Sequence, residues 1–406
     1  MQIILRRAAH VRISYMKRKA EDFVMKDSIE TRCIHGEGHR YGEETRSISF
    51  PIYQTASFSH KEPGHNGSGF DYTRESNPTR EHLEEIVTSL ENAADTVAAS
   101  SGMAAIAIFF ELLKPGDHVI CSEDLYGGTV RFLKNIAEKN GLEITYADTS
   151  NLEEIKKEWK KNTRALYIET PSNPMMKITD IRACAEHAHE NGALLVVDNT
   201  FLSPYWQNPI DLGADFVLHS GTKFLAGHND TVAGFISSAT KEWGDKVRLT
   251  AKTVGNTLAP FDCWLVMRGI KTLPLRMERS QESSLELVKW LKERSWVSQV
   301  YYAGLPDHPG HGIQKSQSRG FGSMISFTVK DNETLLKILK NVRIITFAES
   351  LGGAETLITY PLVQTHPDVP ADVRERLGIN DRLLRLSVGL ENVNDLKEDL
   401  RQAAEE

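Results

Sequence analysis

Cysteine is scarce here and long apolar runs are missing. Four cysteines, Cys33, Cys121, Cys184 and Cys263, are spread over 406 residues. They are too few for a disulfide framework, and no Cys-x-x-Cys pair offers a zinc or redox site. Such usage fits a reducing cytoplasm, which is the expected location. The longest strictly apolar run, Met103 to Phe110, has eight residues, against about 18 for a membrane helix, so no membrane association is expected. Positive charge is in deficit: 48 Lys and Arg face 55 Asp and Glu, for a net charge of -7 and a pI near 6.1. That balance gives a nucleic-acid partner no electrostatic support and favours small-molecule chemistry. Metal binding is not expected either. His35-x-Glu37-x-His39 would share one face of a strand, but it lies in a glycine-rich arm without an evident third ligand. Gly64, Gly67 and Gly69 follow no strand and make no dinucleotide fingerprint. Lys156, Lys157, Lys160 and Lys161 read as the solvated face of a short helix.

What is present is an ordinary globular composition, 40% hydrophobic and 25% charged, in a chain long enough for two or three units at about 150 residues each. Residues 1–24 hold six basic and two acidic side chains, a net +4. They read as an appended, disordered basic tail, with Met25 as the true initiator. Thr31 to Gly69 lacks periodicity and reads as an extended arm, part of an N-terminal segment 25–80. Asn77-Pro78 opens a helix whose Leu83, Ile86, Val87 and Leu90 fall at i, i+3, i+4, i+7. Short apolar runs then alternate with helical patterns: Thr96 to Ala99, Val119 to Cys121, Leu142 to Tyr146, Ala165 to Ile168, Ala193 to Val197 and Phe216 to Leu218. Runs apolar on both faces imply buried parallel strands with helices on each side. The expected fold class is α/β, with this domain spanning 81–262. From 263 to 406, longer helices with strands at Met324 to Val329 and Leu383 to Val388 imply a smaller α+β domain.

Three segments fall where parallel sheets bind ligands, at the carboxyl ends of strands. Ser100-Ser101-Gly102-Met103 opens a helix whose free N-H groups suit a phosphate, although a plain strand-to-helix turn reads equally well. Asp198 ends Ala-Leu-Leu-Val-Val-Asp and is either a cap or a fixed charge for a cationic ligand nitrogen. Lys223, in Ser220-Gly221-Thr222-Lys223, is either a surface residue or an amine that burial makes competent for Schiff-base and proton chemistry. A phosphate cradle, a buried carboxylate and a reactive lysine are together what pyridoxal 5'-phosphate demands of a protein. Arg385, a permanent charge inside Leu-Leu-Arg-Leu-Ser-Val, needs a carboxylate, from a substrate or from a structural ion pair.

These residues stand in motifs that resemble the cystathionine γ-synthase and γ-lyase family of transsulfuration enzymes. The motifs are Asp71-Tyr72-Thr73-Arg74 with Asn77-Pro78-Thr79-Arg80, Ser101-Gly102-Met103-Ala104-Ala105, Tyr126-Gly127-Gly128-Thr129, and Glu169-Thr170-Pro171-Ser172-Asn173-Pro174. Further along come Val197-Asp198-Asn199-Thr200-Phe201, His219 to Lys223, Glu349-Ser350-Leu351-Gly352-Gly353 and Arg385-Leu386-Ser387-Val388-Gly389. The likeness runs in order from about Ile29 to Leu400. It implies a pyridoxal-phosphate fold of type I, like that of aspartate aminotransferase, with a mostly parallel central sheet. Lys223 would carry the cofactor, Asp198 would meet its ring nitrogen with Thr200 beside it, and Tyr126 would stack on the ring. Ser101, Gly102, Met103, Ser220 and Thr222 would bind the phosphate, joined by Tyr72 and Arg74 from a neighbouring subunit. Asn173, Ser350 and Arg385 would fix the phenolic oxygen of the cofactor and the substrate carboxylate, and Glu349 would meet a distal amino group. The resemblance further implies a homo-oligomer, at least a dimer and expected to be a tetramer built as a dimer of dimers.

The implied activity is at Cγ of homoserine-derived or cystathionine-like amino acids. γ-Replacement, an O-acyl-homoserine with cysteine or sulfide as in cystathionine γ-synthase and methionine biosynthesis, stands first, on the stretches Leu258 to Asp262 and Gly227 to Asp230. Cystathionine γ- or β-lyase activity is the alternative, and an aminotransferase or a non-catalytic cofactor-binding protein are remoter ones. The family usually shows Ala where Gly221 stands and Ser where Asn229 stands. Methionine γ-lyases carry Cys where this chain has Gly128.

Overall fold

The computed structural model describes residues 27–36, 46–63, 67–367 and 369–405. The basic tail 1–24, Met25, Glu37, His39 and Gly64 lie outside them. The arm is not wholly extended. Ile29–His35 is helical, with Cys33 buried. It is held by Arg32, which donates to the Ser89 carbonyl and, at 3.2 Å, to Asn92 Oδ1. A helix made by docking rather than by its own periodicity escapes pattern reading, and it also removes His35 from any strand face. The helix Pro78–Glu91 forms as its punctuation predicts. Asn77 Oδ1 accepts from Thr79 N at 3.0 Å, Pro78 fills the first position, and Leu83, Ile86, Val87 and Leu90 are buried.

The first sheet comprises β1 (Asp95–Ala99), β2 (His118–Ser122), β3 (Glu143–Ala147), β4 (Thr163–Glu169), β5 (Leu194–Asp198), β6 (Phe216–Ser220) and β7 (Gly234–Ser238). Their order is β1-β7-β6-β5-β4-β2-β3. All run parallel except β7, which is antiparallel to both neighbours and has no counterpart in the sequence reading. The strands are apolar on both faces because both are covered. Ala165, Tyr167, Val196, Phe216 and Leu218 pack on the side of helix Gly102–Phe110. Leu166, Ile168, Leu195, Val197 and Val217 pack with helix Ile181–Glu190. This alternation places Glu169, Asp198 and Ser220, the last residues of β4, β5 and β6, on the face that carries helix Gly102–Phe110.

The second sheet adds β8 (Val297–Tyr301), β9 (Met324–Val329), β10 (Thr346–Phe347), β11 (Leu357–Thr359) and β12 (Leu383–Ser387), ordered β10-β11-β12-β9-β8. The boundary read at 262/263 falls inside helix Pro260–Ile270, since the apolar spacing there marks the helix but not what it packs on. Leu384 and Leu386 of β12 face a core built with helices Leu273–Lys292 and Val393–Glu405. Arg385 faces the other way, between Ser326 of β9 and Thr359 of β11. Ser326 Oγ donates to the Pro174 carbonyl at 2.6 Å, so the polar face of this sheet rests on the loop after β4. All four cysteines are buried and free, and burial pushes the Cys33 and Cys184 thiols up to about 12. Among the described residues no helix is long and apolar enough to cross a membrane.

Asp399, 4% exposed on the last helix, accepts from the N-H groups of Arg343, Ile344 and Ile345 at 2.9, 2.9 and 2.8 Å. Asp399→Ala strands these donors, and a buried unpaired donor costs about 1–3 kcal/mol. The expected outcome is a loss of about 3 kcal/mol or more, seen as a lowered thermal midpoint of the folded chain, with cofactor affinity at 25 °C unchanged. A midpoint within error of the parent would show that the cap is dispensable.

Candidate active site

At the carboxyl ends of β4, β5 and β6 opens a cavity of about 340 Å³. Its lining brings together Ser101, Gly102, Met103, Tyr126, Asn173, Asp198, Thr200, Ser220, Thr222, Lys223, Glu349, Ser350 and Arg385. A larger cleft of about 540 Å³ is lined by Lys177, Lys292, β8 and His308, but its lysines are already neutralised. Lys177 pairs with Glu123 and Asp148, and Lys292 with Asp307. Unspent charge, not volume, marks the smaller cavity.

Each wall can be traced to local structure. Ser101 caps helix Gly102–Phe110 by accepting from Ala104 N at 3.0 Å. The N-H groups of Gly102 and Met103 bond no acceptor among the described residues and point an anion site at Ser220 and Thr222. A Cβ on Gly102 would sit 2.9 Å from Ser220 Cβ, so the cradle exists only because position 102 lacks a side chain. Lys223 follows β6. Its Nζ donates to Ser350 Oγ at 2.8 Å, and burial, then the Arg385 charge, pulls its pKa down to about 8. Asp198 Oδ1 accepts from Thr200 N at 3.0 Å and Thr200 Oγ1 at 2.6 Å, while burial pushes its carboxyl up.

Arg385 is 2% exposed, and no carboxylate of the described residues pairs with it. Its Nη1 donates to Asn173 Oδ1 at 2.7 Å and its Nη2 to the Ser350 carbonyl at 3.0 Å and Thr359 Oγ1 at 3.2 Å. Its Nε has no partner among the described residues. The structural ion pair considered from sequence is therefore absent. Burial alone drags this guanidinium down to about 10, a cost that an incoming carboxylate would relieve. Ser350, which touches both Lys223 and Arg385, is held at φ +95°, a region that costs a non-glycine residue about 1–3 kcal/mol.

Tyr72 and Arg74 do not join the cavity of their own chain. Arg74 Nη1 donates to the Lys252 carbonyl at 2.6 Å, and its guanidinium lies 5.6 Å from the Tyr72 ring centroid. Residues of the N-terminal arm and the 257–260 stretch surround the pair instead. The departures at Gly221 and Gly128 have local causes. A Cβ at 221 would lie 2.4 Å from Phe235 Cε2, and one at 128 would lie 2.3 Å from Tyr126 Cε1. Asn229 donates to Glu355 Oε2 at 2.8 Å, and neither residue lines the cavity.

Sequence reasoning overlooked Glu169 as a site residue, although Ala-Leu-Tyr-Ile-Glu repeats the apolar-run-then-acid pattern of Asp198. The two pair in register, and burial together with the Asp198 charge pushes Glu169 well above the carboxylate range. Its Oε2 accepts from Tyr126 N at 3.1 Å. Asp124 and His366 were also missed, and no local pattern betrays them. Asp124, pushed to about 6 by burial, accepts from Ser172 Oγ and, at 3.2 Å, Met175 N. His366 donates through Nε2 to the Asn173 carbonyl at 3.0 Å. Both brace the turn that presents Asn173. Among the described residues no cluster of His, Cys, Asp or Glu is placed to hold a metal.

The family model for Cys/Met metabolism PLP-dependent enzymes matches residues 30–405. The chain belongs to this family. Cystathionine gamma-lyase of Bacillus subtilis (strain 168) is 46% identical over 376 residues, 93% of this chain and 99% of that protein. Cystathionine beta-lyase of Lactococcus lactis subsp. cremoris (strain MG1363) is 44% identical over 382 residues, 93% of this chain and 99% of that one. Among solved structures, a cystathionine gamma synthase from Xanthomonas oryzae pv. oryzae, in complex with aminoacrylate and cysteine, aligns with a TM-score of 0.90 at 38% identity, covering 94% of this chain and 98% of that chain. Enzymes of this family depend on pyridoxal phosphate. The cavity suits that group: it offers a glycine-shaped anion cradle, a buried acid and a lysine with a lowered pKa. The fold type I architecture follows as well.

Only the neutral amine attacks an aldehyde. In protein freed of cofactor, uptake of pyridoxal phosphate into its lysine-bound, visibly absorbing form should therefore accelerate with pH and level off above about 8. Arg385→Gln removes a cation that lowers Lys223 and should move this midpoint up. Glu349→Gln removes an anion that raises it and should move the midpoint down. A midpoint near that of a free lysine in the parent protein would refute the burial of Lys223.

Proposed function

We propose that the enzyme forms or breaks the Cγ–S bond of cystathionine-type amino acids. γ-Replacement, an O-acyl-homoserine with cysteine or sulfide, is the reading placed first. The observation that carries an amino-acid substrate is Arg385, a buried guanidinium held among the described residues only by neutral oxygens, in the same cavity as Lys223. Elimination by a cystathionine γ- or β-lyase is the second reading, favoured by the relatives so named.

Pyridoxal phosphate, when bound, supplies an aldehyde for the substrate amine and a ring that accepts the electron pair left by a departing proton. The rest is the work of side chains. Gly102 N, Met103 N, Ser220 and Thr222 hold the phosphate, with Ser101 capping the helix behind it. Tyr126 would close one face of the ring, and Asp198, steadied by Thr200, would meet the ring nitrogen. Arg385 and Asn173 seize the substrate α-carboxylate, which turns the Cα-H bond toward Lys223. Lys223 Nζ, close to half neutral near pH 8, takes the Cα proton, and the Ser350 hydroxyl steers the amine between positions. Glu349, at the exposed rim, attracts a distal ammonium on cystathionine or on attacking cysteine. Tyr72 and Arg74 complete the phosphate site from a neighbouring subunit, the role proposed for segment 25–80 in a homo-oligomer. A cytoplasmic setting fits four free cysteines.

The reaction is tested by offering cystathionine alone, then an activated homoserine ester with cysteine, and identifying the products. Cystathionine formed from the ester supports replacement. A 2-oxo acid from cystathionine with no use of the ester would favour elimination, and pyruvate-dependent amino transfer would overturn both. Glu349 is exposed, so its pull on an ammonium is screened and worth about 1 kcal/mol, roughly fivefold. Glu349→Ala should weaken use of cystathionine and cysteine by that factor and leave sulfide alone, whereas equal losses for all three would remove the role. Subunit sharing is tested by mixing inactive Lys223→Ala with inactive Arg74→Ala under exchange. Hybrid dimers then hold one intact site, so about a quarter of all sites should recover by two-fold symmetry. If Arg74 served its own chain, mixing would restore nothing.

A further inference from the structure

Behind the face of the sheet that lines the cavity lies a buried acid–imidazole pair that the chemistry above does not use. His219 is the residue before Ser220 in β6 and points to the opposite face. Its Nε2 lies 2.5 Å from Glu91 Oε1, with side chains 1% and 0% exposed. The same Glu91 oxygen accepts from Asn199 Nδ2 at 3.2 Å, and Asn199 Nδ2 also donates to the Gln207 carbonyl at 2.9 Å. Glu91, at the end of helix Pro78–Glu91, thus grips the residue beside Asp198 and the residue beside Ser220.

A proton lies between Glu91 Oε1 and His219 Nε2, and the hydrogen bond that Asn199 Nδ2 donates to the same oxygen favours the carboxylate form. The other Glu91 oxygen, Oε2, is buried and has no partner among the described residues, so a proton there would be an unpaired donor in the interior. Imidazolium beside carboxylate is the arrangement in which each buried charge is compensated. The positive end of this pair lies next to Asp198, one strand away. On the other flank of Asp198 stands Glu169 from β4, with Tyr167 from the same strand near by, and Thr200 donates to the carboxylate from both its N and its Oγ1. Burial favours the neutral acid, and His219 opposes it.

We propose that Glu91 and His219 are positioning residues for the cofactor's ring nitrogen: Glu91 fixes positive charge on His219 beneath the β5–β6 edge, and that charge holds Asp198 ionised so that the ring nitrogen keeps its proton. This rests on the assignment of Asp198 to the ring nitrogen. The test uses holoenzyme loaded with pyridoxal phosphate labelled with ¹⁵N in the ring, and reads the ring-nitrogen chemical shift near neutral pH. The parent should show a protonated ring. Glu91→Gln, which keeps the shape and removes the charge, and His219→Gln should both move the shift toward unprotonated pyridine. Both should also release cofactor about tenfold faster, the equivalent of one pKa unit. Glu91→Asp should restore the parent shift in part, which a merely structural role would not require. Asp198→Asn is the control. If it alone moves the shift, the inference fails and the reading of Asp198 stands; if it too leaves the shift unchanged, the reading of Asp198 fails. Should the Glu91 and His219 variants not fold, neutron diffraction of parent holoenzyme crystals decides. Deuterium on both His219 ring nitrogens and none on Glu91 supports the inference, and a neutral imidazole or a protonated Glu91 overturns it.

Discussion

Arg385 is the constraint on which the site depends. A guanidinium inside an apolar strand must be satisfied by something, and here the satisfaction is deliberately incomplete: an amide, a carbonyl and a hydroxyl take Nη1 and Nη2, and Nε is left over. Those acceptors come from far apart. Asn173 belongs to the loop after β4, Ser350 to the turn between the short strands of the second sheet, and Thr359 to β11. Holding one cation therefore locks the second sheet onto the first and fixes the distance between the guanidinium and the amine of Lys223. The strained backbone at Ser350 fits this account, since one residue is made to serve the cation with its carbonyl and the lysine with its hydroxyl.

The same geometry explains why relatives of different named activity are alike. A γ-lyase and a β-lyase stand at 46% and 44% identity, and a γ-synthase structure aligns at a TM-score of 0.90. Under the function proposed above, the guanidinium, lysine, acid and anion cradle of this chain would serve any of these chemistries. At the mouth of the cavity Glu349 and Val232 are exposed, and there packing constrains the residue type least.

Legibility in the sequence followed locality. The helix at Asn77-Pro78, the alternating strands and the acid closing β5 each leave a signature within a dozen residues, because capping, burial on two faces and strand ends are local events. Lys223, Asp198 and Arg385 were legible for the same reason, each breaking an otherwise consistent pattern. β7 was not, because an antiparallel strand in a parallel sheet is chosen by its neighbours. The helix Ile29–His35 exists because Arg32 reaches helix Pro78–Glu91. Asp124 and His366 are tied to Asn173 by contacts across long stretches of chain, and Glu169 was passed over although its strand carried the same mark as that of Asp198.

The antiparallel course of β7 has a consequence for how the chain matures during synthesis. Because β7 returns directly beside β6, Ser220, Thr222 and Lys223 belong to a connection closed by near neighbours: Thr222 N donates to the Ala233 carbonyl at 3.2 Å, and Ala233 N to Thr222 Oγ1 at 3.0 Å. The partner of the lysine amine, Ser350, lies 127 positions onward, and Arg385 meets Asn173 across 212. Contacts of that span close late, since loop entropy must be overcome before they form. A nascent chain that has completed β7 thus still lacks the Ser350 contact and the Arg385 charge that set the surroundings of Lys223 in the folded chain.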